Sequence, residues 1–287
     1  MTALNPYQGT SNGLTFGPGT DVQLVSIDGL RDTTTVNQGD VQLPRLNGAA
    51  PGTNTLGERV LVLTFAVFAP VAAFETVISN IATAFQPMSS PNALQPLQFM
   101  LPGWLSARQV KGRTTKGAIP IDTDFQFNVE RAIALEFTCP DPLIYDTVVQ
   151  TQSTGLPSPT AGLTFPASAP FVFGASTGGS LQFVNIGNVP GPMVMTITGP
   201  VTNPILRIGN LYLGFNITLG ASDVLVIDTA AHTATLNGTA ARANLVMAGS
   251  SWLQVPPGTV TVQVASSDSA AVAATFTGTF SSSWGFM

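Results

Sequence analysis

Apolar runs and one strictly alternating stretch, separated by turn residues, predict strands along this chain. From Thr259 to Val264 the alternation is strict: Val260, Val262 and Val264 face one way, and Thr259, Thr261 and Gln263 the other. That pattern predicts a strand with one wall on a core and the other toward water. Two more strand signals precede it, the apolar run Val224–Ile227 and the stretch from His232 to Leu236. Strong turn signals separate them. Asn237-Gly238 readily supplies the two positive-φ residues of a type I′ hairpin turn. Pro256-Pro257-Gly258 places proline where φ near −65° is needed and glycine where a type II turn has positive φ.

The same reading extends along the chain. A Gly/Pro-rich arm from Leu14 leads into a strand over Val22–Ile27, and Gly29–Asn54 reads as loop with short strands, its apolar residues being too scattered for a long element. Arg59–Phe68, RVLVLTFAVF, is apolar at successive positions, which predicts a strand that is central or covered on both sides. Pro70 ends it and can open a helix over about 71–86. There Phe74, Val77, Ile78, Ile81, Ala82 and Phe85 recur at helical spacing, and Pro87 stops the run. The stripe fits docking on the chain's own sheet; contact with a partner subunit is the other reading.

Further strands are expected at Leu97–Met100, Leu105–Arg113 and Ala132–Phe137. The stretch from Gln150 to Gly179 is dominated by Ser, Thr, Pro, Ala and Gly with a few Phe, and reads as a linker running into a first strand at Phe171–Phe173. Beyond it, strand signals recur at intervals of about ten residues: Leu181–Ile186, Met193–Thr198, Ile205–Ile208, Tyr212–Leu219, the meander and Val272–Phe280. Regular spacing without a helical stretch predicts a sandwich or barrel. The chain is therefore expected to be mainly β with one or two short helices, divided into residues 1–146, a linker with its first strand over 147–179, and a β-sandwich over 180–287.

Composition narrows the function. Of 287 residues only 9% are charged, against about 25% in ordinary proteins, so Ser, Thr, Asn, Gln and backbone must make the surface polar. This suits a subunit whose flanks are covered by neighbours, and equally an ordinary β protein with a Ser/Thr surface. The net charge of −5 divides as −4 up to Asp146 and −1 beyond it. With a pI near 4.6, the balance argues against a protein that binds nucleic acid by neutralising phosphates. A single cysteine, Cys139, excludes an intrachain disulfide, fits a reducing compartment and reads as a packed thiol. The N-terminus lacks signal-peptide character, and the longest apolar stretch, Val60–Phe74, is interrupted and too short to span a membrane.

Candidate chemistry is sparse. His232 is the only histidine, so any triad would have to use it, and it reads as a turn-flanking surface residue. One histidine and one cysteine do not make a zinc site. Asp122 with Asp124, or Asp223 with Asp228, are the available carboxylate pairs, yet each lies in or beside a turn, where Asp serves local hydrogen bonding. No phosphate-binding glycine loop is present, and no catalytic, cofactor or metal residue is assigned. The densest charge is basic: Arg108, Lys111, Arg113 and Lys116 place four of ten bases within nine positions. Alternation puts Lys111 and Arg113 on one face with Gly112 opposite. They read either as a solvated hairpin or as a strip that meets an acidic neighbour or lines a pore.

The order and spacing of the meander carry a resemblance. Ile227-Asp228, Leu236-Asn237-Gly238, Arg242, Ser251-Trp252 and Pro257-Gly258 together resemble the C-terminal domain of siphovirus distal tail proteins, a phage minor tail protein family. Upstream, Cys139-Pro140-Asp141-Pro142-Leu143-Ile144-Tyr145 resembles the segment joining that family's two domains. The resemblance implies an N-terminal α+β, tail-tube-like domain and a C-terminal galectin-like or jelly-roll sandwich. It implies a structural virion protein and not an enzyme, needing no cofactor: a homohexameric ring at the distal end of the phage tail, assembled in the bacterial host cytoplasm. The N-terminal domain would join the tail tube protein and the C-terminal domain would radiate outward. The tail-tip hub would dock beneath, while the tape measure protein and then DNA pass through the lumen. The alternative is a carbohydrate- or receptor-binding sandwich of the tail tip, for which Trp252, Trp284 and Tyr212 are the available stacking platforms.

Overall fold

The structure is a computed structural model that describes residues 4–43, 47–87, 90, 93–121, 123–159, 176–268 and 272–285. The chain forms two compact units: Met1–Val148 together with Trp284–Met287, and Val149–Ser283. The division therefore differs at the C-terminus from the one expected, because Trp284 and Gly285 belong to the first unit and not to the sandwich.

Unit 1 is built on a sheet of antiparallel strands. In chain order these are β1 (Gly9–Ser11), β2 (Leu14–Phe16), β3 (Val22–Asp28), then the paired ribbon segments β4 (Val36–Asn37), β5 (Val41–Gln42), β6 (Ala49–Ala50) and β7 (Thr55–Leu56), followed by β8 (Arg59–Phe68). Helix α1 (Val71–Ala84) precedes β9 (Gln95–Phe99), β10 (Arg108–Ala118), β11 (Val129–Cys139) and β12 (Ile144–Asp146). The main sheet runs β2-β1-β9-β10-β11-β8-β3, with β12 added to β10. The ribbon is separate: β4 pairs β7 and β5 pairs β6. Its short strands lie where only scattered apolar residues had pointed to strand.

One face of this sheet makes the core. Leu61, Leu63, Phe65 and Val67 of β8 are fully buried with Val110 of β10 and Ile133 and Phe137 of β11. Helix α1 lies in the same cluster through Phe74, Ile78, Ile81 and Ala84, so the predicted stripe docks on its own sheet. The stripe drifts by one turn position, Ala84 being buried and Ala82 exposed. Pro70 is the residue before the helix, and its carbonyl accepts from the amides of Ala73 and Phe74.

Unit 2 holds β13 (Gln150–Gly155), β14 (Ser158–Pro159), β15 (Ser176–Thr177), β16 (Ser180–Asn185), β17 (Gly191–Thr198), β18 (Val201–Thr202), β19 (Ile205–Ile208), β20 (Leu211–Gly214) and β21 (Thr218–Leu219). The meander follows as β22 (Val224–Asp228), β23 (Thr233–Leu236), β24 (Ala240–Ala241), β25 (Gln254–Val255) and β26 (Gly258–Ala265), then β27 (Thr275–Phe280). A last strand, β28 (Ser283–Trp284), pairs with β12 of unit 1. One sheet runs β13-β27-β17-β22-β23-β24 with β25 on β17, the other β16-β26-β19-β20. Their inner faces share one core: Met193, Met195, Ile197, Leu225, Ile227, Phe276 and Phe280 against Leu181, Phe183, Leu206, Val260, Val262 and Val264. This is a β-sandwich. Gly278 is needed at the contact, since a Cβ there would lie 2.7 Å from the ring of Phe183.

The turns obey their predicted chemistry. Asn237 and Gly238 have φ of 53° and 75°, and Gly258 has φ of 100°. The Pro-Pro-Gly turn leads from β25, on the larger sheet, to β26 on the smaller. Two expectations are corrected, and a third is untested. Gln150–Gly155 is an edge strand paired along its length with β27, not linker: its side chains are polar on both faces, so only its backbone identifies it. Tyr212–Leu219 is two strands, divided around Phe215. The strand proposed at Phe171–Phe173 lies outside the described residues.

Candidate assembly surface

The outer face of the unit 1 sheet is assembled row by row from cross-strand partners. On β8, Val60 and Val62 are 41% and 37% exposed, and Phe68 is 51% exposed. Of the two readings of this apolar run, the structure bears out the central position, and part of the outer face stays exposed in the single chain. Strand β8 sits between β11 and β3; its inner face is buried throughout, and on the outer face Ala66 is buried while Val60, Val62 and Phe68 are exposed. The edge strand β3 carries an irregularity at Val25, which stands 59% exposed between the paired residues Leu24 and Ser26.

The basic residues continue this face. Register places Arg113 opposite Thr138, which lies opposite Val60. The next row runs Lys116, Glu136, Val62, Asp28. A bulge between Thr114 and Lys116 inserts one residue and so returns Lys116 to the face of Lys111 and Arg113, while Val110, Gly112 and Thr114 are buried on the other side. Lys111, Arg113 and Lys116 have no ion-pair partner among the described residues. Cations, apolar side chains and an acidic edge thus lie side by side on an open sheet.

Arg108 departs from that strip. Its position shares the face of Val110, and its guanidinium lies 4.1 Å from the Trp104 ring centre and 3.7 Å from that of Trp284. Burial lowers its pKa, partly offset by the charge of Asp146. The sequence grouped four bases by proximity; strand alternation assigns one of them, half-buried, to the opposite face.

Arg59 is the buried cation that the sequence analysis did not single out. It is 1% exposed, and its guanidinium donates to carbonyls from three separate segments. Nε donates to Pro142 O at 2.8 Å, Nη1 to Gly29 O at 2.8 Å, Leu30 O at 3.2 Å and Asp32 O at 3.1 Å, and Nη2 to Gly285 O. Desolvation lowers its pKa, while Cys139, Asp32 and Asp141 act in the opposite sense. Burial likewise pushes the Cys139 thiol up to about 12. An arginine opening an otherwise apolar strand was the only available signal.

The aromatic platforms are each engaged. His232, at φ 54°, stacks on Trp252 with ring centres 5.0 Å apart and planes within 7°. The Tyr212 hydroxyl donates to Ala248 O at 2.7 Å, and Arg207 lies 5.9 Å from its ring. Trp284 is only 7% exposed, in the core of unit 1. The carboxylates are used locally as well. Asp228 accepts from the amides of Ala230 and Ala231; Asp223 accepts from Gly220 and the Asn237 side chain, and both bonds lower its pKa. Asp124 pairs with Arg131 at 3.4 Å, and Asp122 lies outside the described residues. No group of three or more metal-ligating side chains occurs among the described residues. No described helix is long and apolar enough to cross a membrane.

Comparison with known proteins gives three findings. Residues 186–280 match the family described as siphovirus-type tail component, C-terminal domain. The fold is similar to the crystal structure of the Dit (gp 19.1) protein of phage SPP1, described as a paradigm of the hub adsorption apparatus in phages infecting Gram-positive bacteria. The TM-score is 0.60 at 14% identity, over 96% of this chain and 98% of that one. A chain of the phage P2 baseplate in its activated conformation with Ca aligns at TM-score 0.45 and 10% identity, over 98% of this chain and 99% of that one. No curated protein matches in sequence.

Proposed function

We propose that this chain, whose residues 186–280 match the siphovirus-type tail component C-terminal domain, is a siphovirus distal tail protein, a structural component of the tail tip, and that unit 1 joins copies of the chain into a ring, a homohexamer, on the tail tube. In this reading unit 2 projects outward and the tail-tip hub docks beneath. The tape measure protein and then DNA traverse the lumen. The protein is assembled in the host cytoplasm and works at the distal end of the virion tail.

The observation that carries this reading is the open outer face of the unit 1 sheet. Val25, Val60, Val62 and Phe68 are exposed there beside three cations that no acid in the described chain pairs. Exposed apolar side chains grouped on a sheet mark a surface meant to be covered. An obligate interface of this kind buries on the order of 2,000 Å² or more. Contact between different patches of successive copies closes into a ring when the rotation allows.

The carbohydrate-binding alternative finds less support. Trp252 already has a ring face occupied by His232, and Trp284 is buried.

The test is charge reversal on the exposed face. The triple variant Lys111→Glu, Arg113→Glu, Lys116→Glu is expected to fold, because these side chains make no internal bond, and to lose ring formation in light scattering and negative-stain images. Rings of normal size and yield from that variant would remove the surface from the account.

A further inference from the structure

The segment that follows β27 leaves unit 2 at Ser283 and finishes unit 1. Strand β28 adds to β12, Trp284 enters the core of unit 1, and the Gly285 carbonyl accepts from Arg59 across 226 residues of sequence. Trp284 also packs against the Arg108 guanidinium, as Trp104 does. Both cations met by this segment open a strand: Arg59 is the first residue of β8 and Arg108 the first of β10. Those two strands carry Val60, Val62, Lys111, Arg113 and Lys116, the residues of the candidate assembly surface.

We infer that residues 284–285 are a closing latch, which gives unit 1 its assembly-competent form only after unit 2 has been synthesised. Before the latch arrives, Arg59 Nη2 lacks the acceptor that Gly285 supplies, and Arg108 lacks one of its two ring contacts. A buried guanidinium without its acceptor is unfavourable, so the starts of β8 and β10 stay loose. Synthesis of residues 149–283 at 5–20 residues per second delays closure by on the order of ten seconds. During that interval the incomplete chain does not present a finished outer face to its neighbours. The link to assembly rests on the ring proposed above; the latch itself does not.

Hydrogen exchange of the full chain tests it against three variants: a chain stopped after Ser283, Trp284→Ala and Trp284→Phe. The stopped chain and Trp284→Ala are expected to exchange at least tenfold faster at the starts of β8 and β10 and in β12. Strands β17 and β26 should keep their protection, and Trp284→Phe should stay near the parent. A synthetic peptide of residues 280–287 should restore protection to the stopped chain, together with its ability to form rings. Unchanged exchange in β8, β10 and β12, or equal loosening of β17 and β26, overturns the latch. If the stopped chain is insoluble, the contrast between Trp284→Ala and Trp284→Phe decides. Should the intact chain form no ring, the proposed function fails while the exchange comparison still judges the latch.

Discussion

Replacing Arg59 by leucine removes one side chain and five hydrogen bonds to carbonyls of Gly29, Leu30, Asp32, Pro142 and Gly285. Each bond to a charged group contributes about 1.5–3 kcal/mol, but the five do not add, because Nη1 is divided among three acceptors. The guanidinium also costs desolvation in the folded state, which its lowered pKa records. Subtracting that cost leaves a loss of about 3–5 kcal/mol, comparable with breaking other buried charged contacts. With a urea dependence near 2 kcal/mol per molar, the midpoint of unit 1 should fall by about 2 M. Unit 2 contributes no side chain to this cluster, so its transition should stay in place. The assay is urea denaturation of the full chain with separate probes in each unit. An unmoved unit 1 transition, or equal shifts in both, would refute the reasoning. Arg59→Lys, which keeps the charge but not the planar fork, should fall between parent and leucine.

Three further outcomes follow from the packing and the pKa shifts. Gly112→Ala should destabilise unit 1 by about 1–3 kcal/mol in thermal unfolding, because the new Cβ would lie 2.5 Å from Thr138 O and 2.9 Å from Cys139 Sγ. Cys139 should resist thiol reagents in the native state; with its folded pKa raised to about 12, its contribution to stability is whole below about pH 8.5, where the unfolded thiol starts to ionise, and declines as pH rises through 12. Stability measured at pH 8 and pH 11 in the parent and in Cys139→Ala checks the sign, the parent losing more. His232→Ala should uncover one face of Trp252 and shift its fluorescence to longer wavelength, with a stability change within about 1 kcal/mol.

Much of the architecture was legible because period and turn chemistry act locally. Val260, Val262 and Val264 are buried as their alternation requires, Arg59–Phe68 is a strand at its predicted bounds, and Asn237-Gly238 takes positive φ at both positions. What escaped depends on distant partners. Gln150–Gly155 is polar throughout and is a strand only because β27 lies beside it. Trp284 read as an available stacking platform, since nothing near it in sequence indicates its contact with Arg108, which also packs on Trp104. The basic cluster was visible as composition, but the separation of Arg108 from Lys111, Arg113 and Lys116 needed the register and the bulge at Thr114. The apolar run of β8 was read as central or covered on both sides; it is central in the sheet, and Val60, Val62 and Phe68 remain exposed on its outer face.

Imaging a neighbour over these residues is the most direct test. Cryo-electron microscopy of intact virions should show copies of this chain in a closed ring between the tail tube and the tip, with Val60, Val62 and Phe68 shielded by a neighbouring subunit. Tail tips without this chain, or copies present there with the outer face of the unit 1 sheet open to solvent, would contradict the account.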